Sequence, residues 1–137
     1  IMIKIGNTVY GDIDPIKTSF TGRLIHPNGT TFWYKNGKLH RDDGPAKIFA
    51  SGKKKWYKDG ELHRVDGPAV IYPDEKRHWY KNGERHRDDG PALIRAGGAK
   101  AWYKHGKLHR DDGPAIIWSS GKKTWYIHGM EISKIDT

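Results

Sequence analysis

The segment WYKNGKLHRDDGPA occupies residues 33–46 and returns three times, as WYKDGELHRVDGPA from Trp56, WYKNGERHRDDGPA from Trp79 and WYKHGKLHRDDGPA from Trp102. Trp33, Trp56, Trp79, Trp102 and Trp125 stand 23 positions apart. His40, His63, His86 and His109 keep the same step, as do Gly44, Gly67, Gly90 and Gly113. A partial copy over residues 24–29 precedes them, and another is cut short after Trp125, ending near Gly129. A constant period without insertions is the mark of a stacked array. A unit this small cannot bury a face alone and must lean on its neighbours. The repetition also bears on chemistry: a catalytic group is needed once, a building group in every copy.

Each unit carries two turn signals. The first is Asn-Gly or a relative: Asn36-Gly37, Asp59-Gly60, Asn82-Gly83 and His105-Gly106. Asn-Gly suits a two-residue hairpin turn, whose central residues both need positive φ. The second lies around Ser51-Gly52, Gly97-Gly98 and Ser120-Gly121. Gly44-Pro45 and its copies exclude a continuous helix. The short segments between turns are β-branched and aromatic, as strands prefer. The pattern predicts an all-β chain with two short strands per unit, joined as successive antiparallel hairpins. At about 4.8 Å between strands, each unit advances the array by roughly 10 Å, and five units make a body about 50 Å long.

Composition fits a thin core. Hydrophobic residues are 35% of the 137, and six Trp and seven Tyr supply much of that share. Such a core rests on large amphipathic rings more than on aliphatic side chains. There is no cysteine, hence no disulfide framework or thiolate metal site; this fits a reducing compartment, and the expected location is cytoplasmic. No apolar run approaches the roughly 20 residues of a membrane-spanning helix. The net charge is +9. Lys4, Lys17, Asp12 and Asp14 cancel in the first 22 residues, so the excess lies on residues 23–137. A basic array attracts nucleic acid, acidic proteins or anionic lipid, although interleaved acids also describe an ordinary solvated surface.

The period and residues resemble the MORN repeat family, whose motif runs approximately Tyr-x-Gly-x-Trp-x-x-Gly-x-x-x-Gly-x-Gly over about 23 residues. Trp56, Gly60, His63 and Gly67 sit at comparable places. Arg64 stands where the family often has glycine, followed by Asp66-Gly67-Pro68-Ala69. This variant looks like repeats of bacterial, bacteriophage and giant-virus proteins. The resemblance covers about residues 23–129. It implies an elongated hairpin sheet that serves as an interaction scaffold, often dimeric, with lipid binding proposed for some members.

Alternate residues of a strand share a face. Ala46 and Ile48 share one side, repeated as Ala69/Ile71, Ala92/Ile94 and Ala115/Ile117; this reads as packed core beside the tryptophan ladder of Trp33, Trp56, Trp79, Trp102 and Trp125. The opposite side varies. One of its positions reads Leu24, Lys47, Val70, Leu93, Ile116, and the next reads His26, Phe49, Tyr72, Arg95, Trp118. The last series is planar in every member and never the same twice. A row of flat side chains grips a partner by stacking, cation–π contact or aromatic hot spots; alternatively it packs against the terminal segments or a second molecule. His26, Phe49, Tyr72, Arg95 and Trp118 are therefore the candidate partner-binding residues.

His-Arg-x-Asp invites metal, catalytic and structural readings. Equivalent histidines roughly 10 Å apart do not converge on zinc, which holds nitrogen at about 2 Å. A triad needs one pocket and an orienting third group, and no Ser or Cys recurs at a fixed place. The structural reading is preferred: Asp43, Asp66, Asp89 and Asp112 accept backbone N–H bonds in the turn before Gly-Pro. Arg41, Arg64, Arg87 and Arg110 pair with carboxylates of an adjacent copy. No cofactor, metal or enzymatic activity is expected. Together with Lys35, Lys58, Lys81 and Lys104 the arginines are candidate anion-binding ladders, and clusters at Lys53-Lys54-Lys55 and Lys122-Lys123 add charge at the other turn. Residues 1–22 read as an N-terminal cap, 23–129 as the repeat array and 130–137 as a C-terminal cap, because exposed strand edges invite aggregation. The leading functional expectation is a non-catalytic scaffold that binds a protein partner or itself through the variable row. The alternative is a nucleic-acid or nucleotide binder using the Lys and Arg ladders, conceivably a viral inhibitor of host defence.

Overall fold

The computed structural model describes residues 3–11 and 13–133; the parts of the expected caps at residues 1, 2, 12 and 134–137 lie outside them. The described chain is all-β, without a helix, and is an array of hairpins in one long sheet of fourteen strands. Neighbours in the sheet follow one another in sequence from Ile3–Ile5 to Met130–Ile132. Every pairing is antiparallel except that of Thr8–Tyr10 with Gly22–Ile25. That parallel pairing lays the N-terminal hairpin, Ile3–Ile5 with Thr8–Tyr10, along the first edge of the array. At the far end Met130–Ile132 pairs with Lys123–Ile127.

The inner units depart from the expected two strands. The second unit, for example, puts Lys54–Lys55 and Val70–Ile71 into the long sheet. Tyr57–Lys58 and Glu61–Leu62 form a separate two-stranded tip. The break falls at Trp56. Its N–H bonds to the Ala69 carbonyl at 2.8 Å and its carbonyl accepts from His63 N–H at 3.1 Å, so the chain leaves the ladder there. The tips turn as Asn-Gly predicts: φ is +50° and +78° at Asn36 and Gly37, and +48° and +79° at Asn82 and Gly83.

The second turn has left-handed glycine at Gly29, Gly52, Gly98 and Gly121, but the third copy places Glu75 there at φ +73°. A non-glycine residue in that region costs about 1–2 kcal/mol. Glu75→Gly relieves this and loses about 0.5–1 kcal/mol to chain entropy. A small net rise in melting temperature is expected, read by circular dichroism; a fall would show that Glu75 is held there by contacts of its own.

Burial corrects the expected division of faces. Ala46, Ala69, Ala92 and Ala115 are fully buried, but the isoleucines that share their side are only half-buried. On the variable side Leu24, Val70 and Leu93 are buried. The register explains both. Across the strands one row reads Leu24, Phe32, Lys47, Lys55, Val70, His78, Leu93, Ala101, Ile116. Phe32 flanks Leu24, Lys55 and His78 flank Val70, and Leu93 lies between His78 and Ala101. The opposite row alternates Ile48, Ile71, Ile94 and Ile117 with Lys54, Arg77, Lys100 and Lys123.

Candidate interaction surface

The His-Arg-Asp-Asp corner is mortar, and its joints differ from those the sequence predicts. The arginines pair within their own unit: Arg41 Nε donates to Asp43 at 3.0 Å, with equivalents at Asp66, Asp89 and Asp112. Nη1 of the same arginine donates to the Pro45 carbonyl at 3.1 Å. The guanidinium lies 4.0 Å above the Trp33 ring, and Arg64, Arg87 and Arg110 cover Trp56, Trp79 and Trp102 alike. The Asp43-type carboxylates therefore serve the arginine; the structure gives them no backbone bond in the turn. The short Arg-x-Asp spacing makes the pair local, so no adjacent copy is needed.

Histidine supplies the link between units. Nδ1 of His40, His63, His86 and His109 accepts the backbone N–H of Asp59, Asn82, His105 and His128, each 19 residues on, at 2.9–3.0 Å. An acceptor Nδ1 puts the proton of a neutral ring on Nε2. Nε2 then donates to Asp42 at 2.9 Å, to Asp88 at 2.7 Å and to Asp111 at 2.9 Å. Val65 takes the carboxylate's place in the second unit and is almost wholly exposed. The invariant His was visible in the sequence; its partner, the next tip, was not. Clefts of about 710, 640 and 640 Å³ open between successive corners; the arginines lining them are paired with aspartates, while Lys58, Lys81 and Lys104 also belong to the lining.

The two expected anion ladders differ in their partners. Arg41, Arg64, Arg87 and Arg110 have local counter-ions. Lys35, Lys58, Lys81 and Lys104 are exposed on the tips, where Lys58 faces Glu61 and Lys81 faces Glu84, while Lys35 faces Lys38 and Lys104 faces Lys107.

The variable row is different. Phe49, Tyr72, Arg95 and Trp118 each close the second turn of a unit, their N–H bonded to the carbonyl four residues on. Side chains of neighbouring strands fill the gaps between the rings. Lys47 Nζ is 5.0 Å from the Phe32 ring and 4.3 Å from Phe49. Lys53 Nζ bridges Phe49 at 5.2 Å and Tyr72 at 4.4 Å. Lys55 also approaches Phe49, Lys76 lies 4.0 Å over Tyr72, and Arg95 is 5.9 Å from Trp118. The His26 and Phe32 rings meet at a tilt of 55° with centroids 4.9 Å apart, and those of Tyr72 and His78 at 53° and 5.4 Å. At the centre the Arg85 guanidinium sits against Tyr80 and Tyr103 and donates to the Tyr80 hydroxyl at 3.1 Å.

The electrostatics follow from crowding. Burial, then Lys53, lowers the pKa of Lys47 and of Lys55. Burial, then Arg85, Lys76, Lys53 and Arg95, lowers that of His78 to about 4. Burial opposes the charge on Arg85, but Tyr80 and Tyr103 outweigh it and raise its pKa. The acids nearest in sequence, Asp74 and Glu75, are in the exposed turn, where Asp74 accepts from Lys76 N–H. Sequence reasoning named the ring series and put Lys47 on its side of the strand, but missed Lys76, His78 and Arg85 as its partners. No helix among the described residues is long and apolar enough to cross a membrane. No protein-family model matches the chain, and no curated protein matches it.

Proposed function

We propose that the chain is a non-catalytic, MORN-like interaction scaffold that captures an acidic protein partner along the face bearing Phe49, Tyr72, Arg95 and Trp118. The observation that supports this best is the interleaving of rings and cations on that face, while Arg41, Arg64, Arg87 and Arg110 of the corners are paired with aspartates. A cation over a ring contributes about 0.5–2 kcal/mol as it is desolvated, and aromatic and Arg side chains are the usual anchors of interfaces. Self-association through this face brings like charges together, which favours a different, acidic partner. The repeated His, Arg and Asp side chains bond to one another and to the backbone, which favours a building role over catalysis. The cysteine-free composition fits a cytoplasmic setting.

A single strand of nucleic acid is the second reading, because the same alternation of stacking rings and cations suits it. Both are tested by capture from a nuclease-treated lysate with the wild-type chain and Tyr72→Ala/Trp118→Ala. Loss of a stable acidic protein in the double variant, with unchanged circular dichroism, is the expected result. Capture that disappears on nuclease treatment, with affinity falling steeply with salt, favours nucleic acid. Capture unaltered by the double variant removes this face from consideration.

A further inference from the structure

The register position held by Lys55, His78 and Thr124 in other units is Ala101 in this part of the array. Two residues earlier, where the other units have Lys53, Lys76 and Lys122, stands Ala99. Two small side chains in succession leave a notch of about 50 Å³ on the ring face. Leu93 and Ile116 line it with the alanines, Tyr103 and Trp118 stand at its sides, and Arg95 lies at its rim. A sealed cavity holds a benzene ring at roughly 150 Å³, so this open notch takes the edge of a ring, the rest lying against Tyr103 and Trp118. Its surroundings are cationic. Arg85 lies 5.0 Å from the Tyr103 ring, and it forms no ion pair with a carboxylate among the described residues. Arg95 belongs to the lining itself, whereas Lys100, between Ala99 and Ala101, holds the opposite row.

We infer that this notch is the anchor point of the ring face, taking one aromatic side chain of an acidic peptide segment with the flanking carboxylates on Arg95 and its cationic neighbours. The inference rests on the scaffold reading and specifies the partner's chemistry: a planar residue between acids. Shape selects the ring, because apolar lining rewards an inserted side chain. Charge selects its neighbours.

Calorimetric titration of the full chain with two synthetic peptides, Glu-Glu-Phe-Glu-Glu and Glu-Glu-Ala-Glu-Glu, tests it. Ala101→Leu closes the notch without changing charge, and larger side chains at the same register in other units show that the sheet accommodates them. The wild-type chain is expected to prefer the Phe peptide by roughly tenfold, the scale of one anchoring side chain. Ala101→Leu is expected to abolish the preference and leave the Ala-peptide affinity unchanged. Equal affinity of wild type for both peptides overturns the notch and leaves the acidic-partner reading standing, as does a ring preference that survives in Ala101→Leu. Failure of both peptides to bind overturns the notch and that reading together. Adenosine 5′-monophosphate is the competing probe: tighter binding than the Phe peptide, lost in Ala101→Leu, overturns the peptide assignment in favour of a nucleotide.

Discussion

Acidification from pH 7 to pH 4 is expected to lower the melting temperature of the array by several degrees, because the fold holds His63, one of the links between units, and His78 of the ring face in the neutral form. Nδ1 of His63 accepts the Asn82 N–H, and a protonated imidazole has no acceptor left. Burial, then Lys58 and Lys81, lowers the pKa of His63 against the opposing pull of Glu61. His78 is lowered further, to about 4, by burial and by Arg85, Lys76, Lys53 and Arg95. An unfolded chain protonates histidine near pH 6.5. The unfolded state therefore binds more protons than the folded one between about pH 6.5 and 4, and stability falls as pH falls through that window. Above it the contribution is complete. Asp88, whose pKa the His86 hydrogen bond lowers, keeps its contribution above the ordinary carboxylate range and loses it as pH falls through that range toward its own lowered pKa. Thermal unfolding followed by tryptophan fluorescence at successive pH values reads the effect. His78→Phe, which copies the Phe32 of the first unit, should flatten much of the slope. A melting temperature constant from pH 7 to pH 4 would mean that the links do not depend on the histidine charge state.

The period, the all-β hairpin array and the tip turns were legible because each is encoded within a few residues. Asn36-Gly37 states its own φ values wherever it falls. The five-membered ring series was legible for a related reason: a planar residue at every 23rd position, among fixed neighbours, stands out as pattern. What failed was non-local. The partner of His40 lies 19 residues away on the next tip, and nothing near His40 specifies it. Arg41 was assigned to a neighbouring copy, but the side chain reaches Asp43 first. The cross-strand neighbours of Lys47 on the ring face were invisible because it meets Phe32 and Lys55 only through the register. The same cause misassigned the faces: the core was placed on the Ala46/Ile48 side alone, yet Val70 on the variable side is buried between Lys55 and His78.

Ala92→Leu is expected to cut the array in two. Ala92 is fully buried. Its N–H bonds to the Ala101 carbonyl at 2.9 Å and its own carbonyl accepts from Trp79 N–H at 2.8 Å. Both neighbours are therefore fixed to its backbone and cannot retreat from a larger side chain. Overfilling a packed site typically costs about 1–3 kcal/mol, occasionally more. In a one-dimensional stack each unit contacts only its neighbours, so a fault at one joint is not shared by the rest. The variant should melt in two steps, the N-terminal and C-terminal parts separately, and limited proteolysis should cleave first near residue 92. Ala92→Gly should destabilise by only about 0.5–1 kcal/mol through chain entropy, without dividing the transition. Ala50→Leu, on an exposed turn, supplies the comparison and should melt like wild type. A single transition at the wild-type temperature for Ala92→Leu would show that stability is spread along the chain and does not reside in the joints between units.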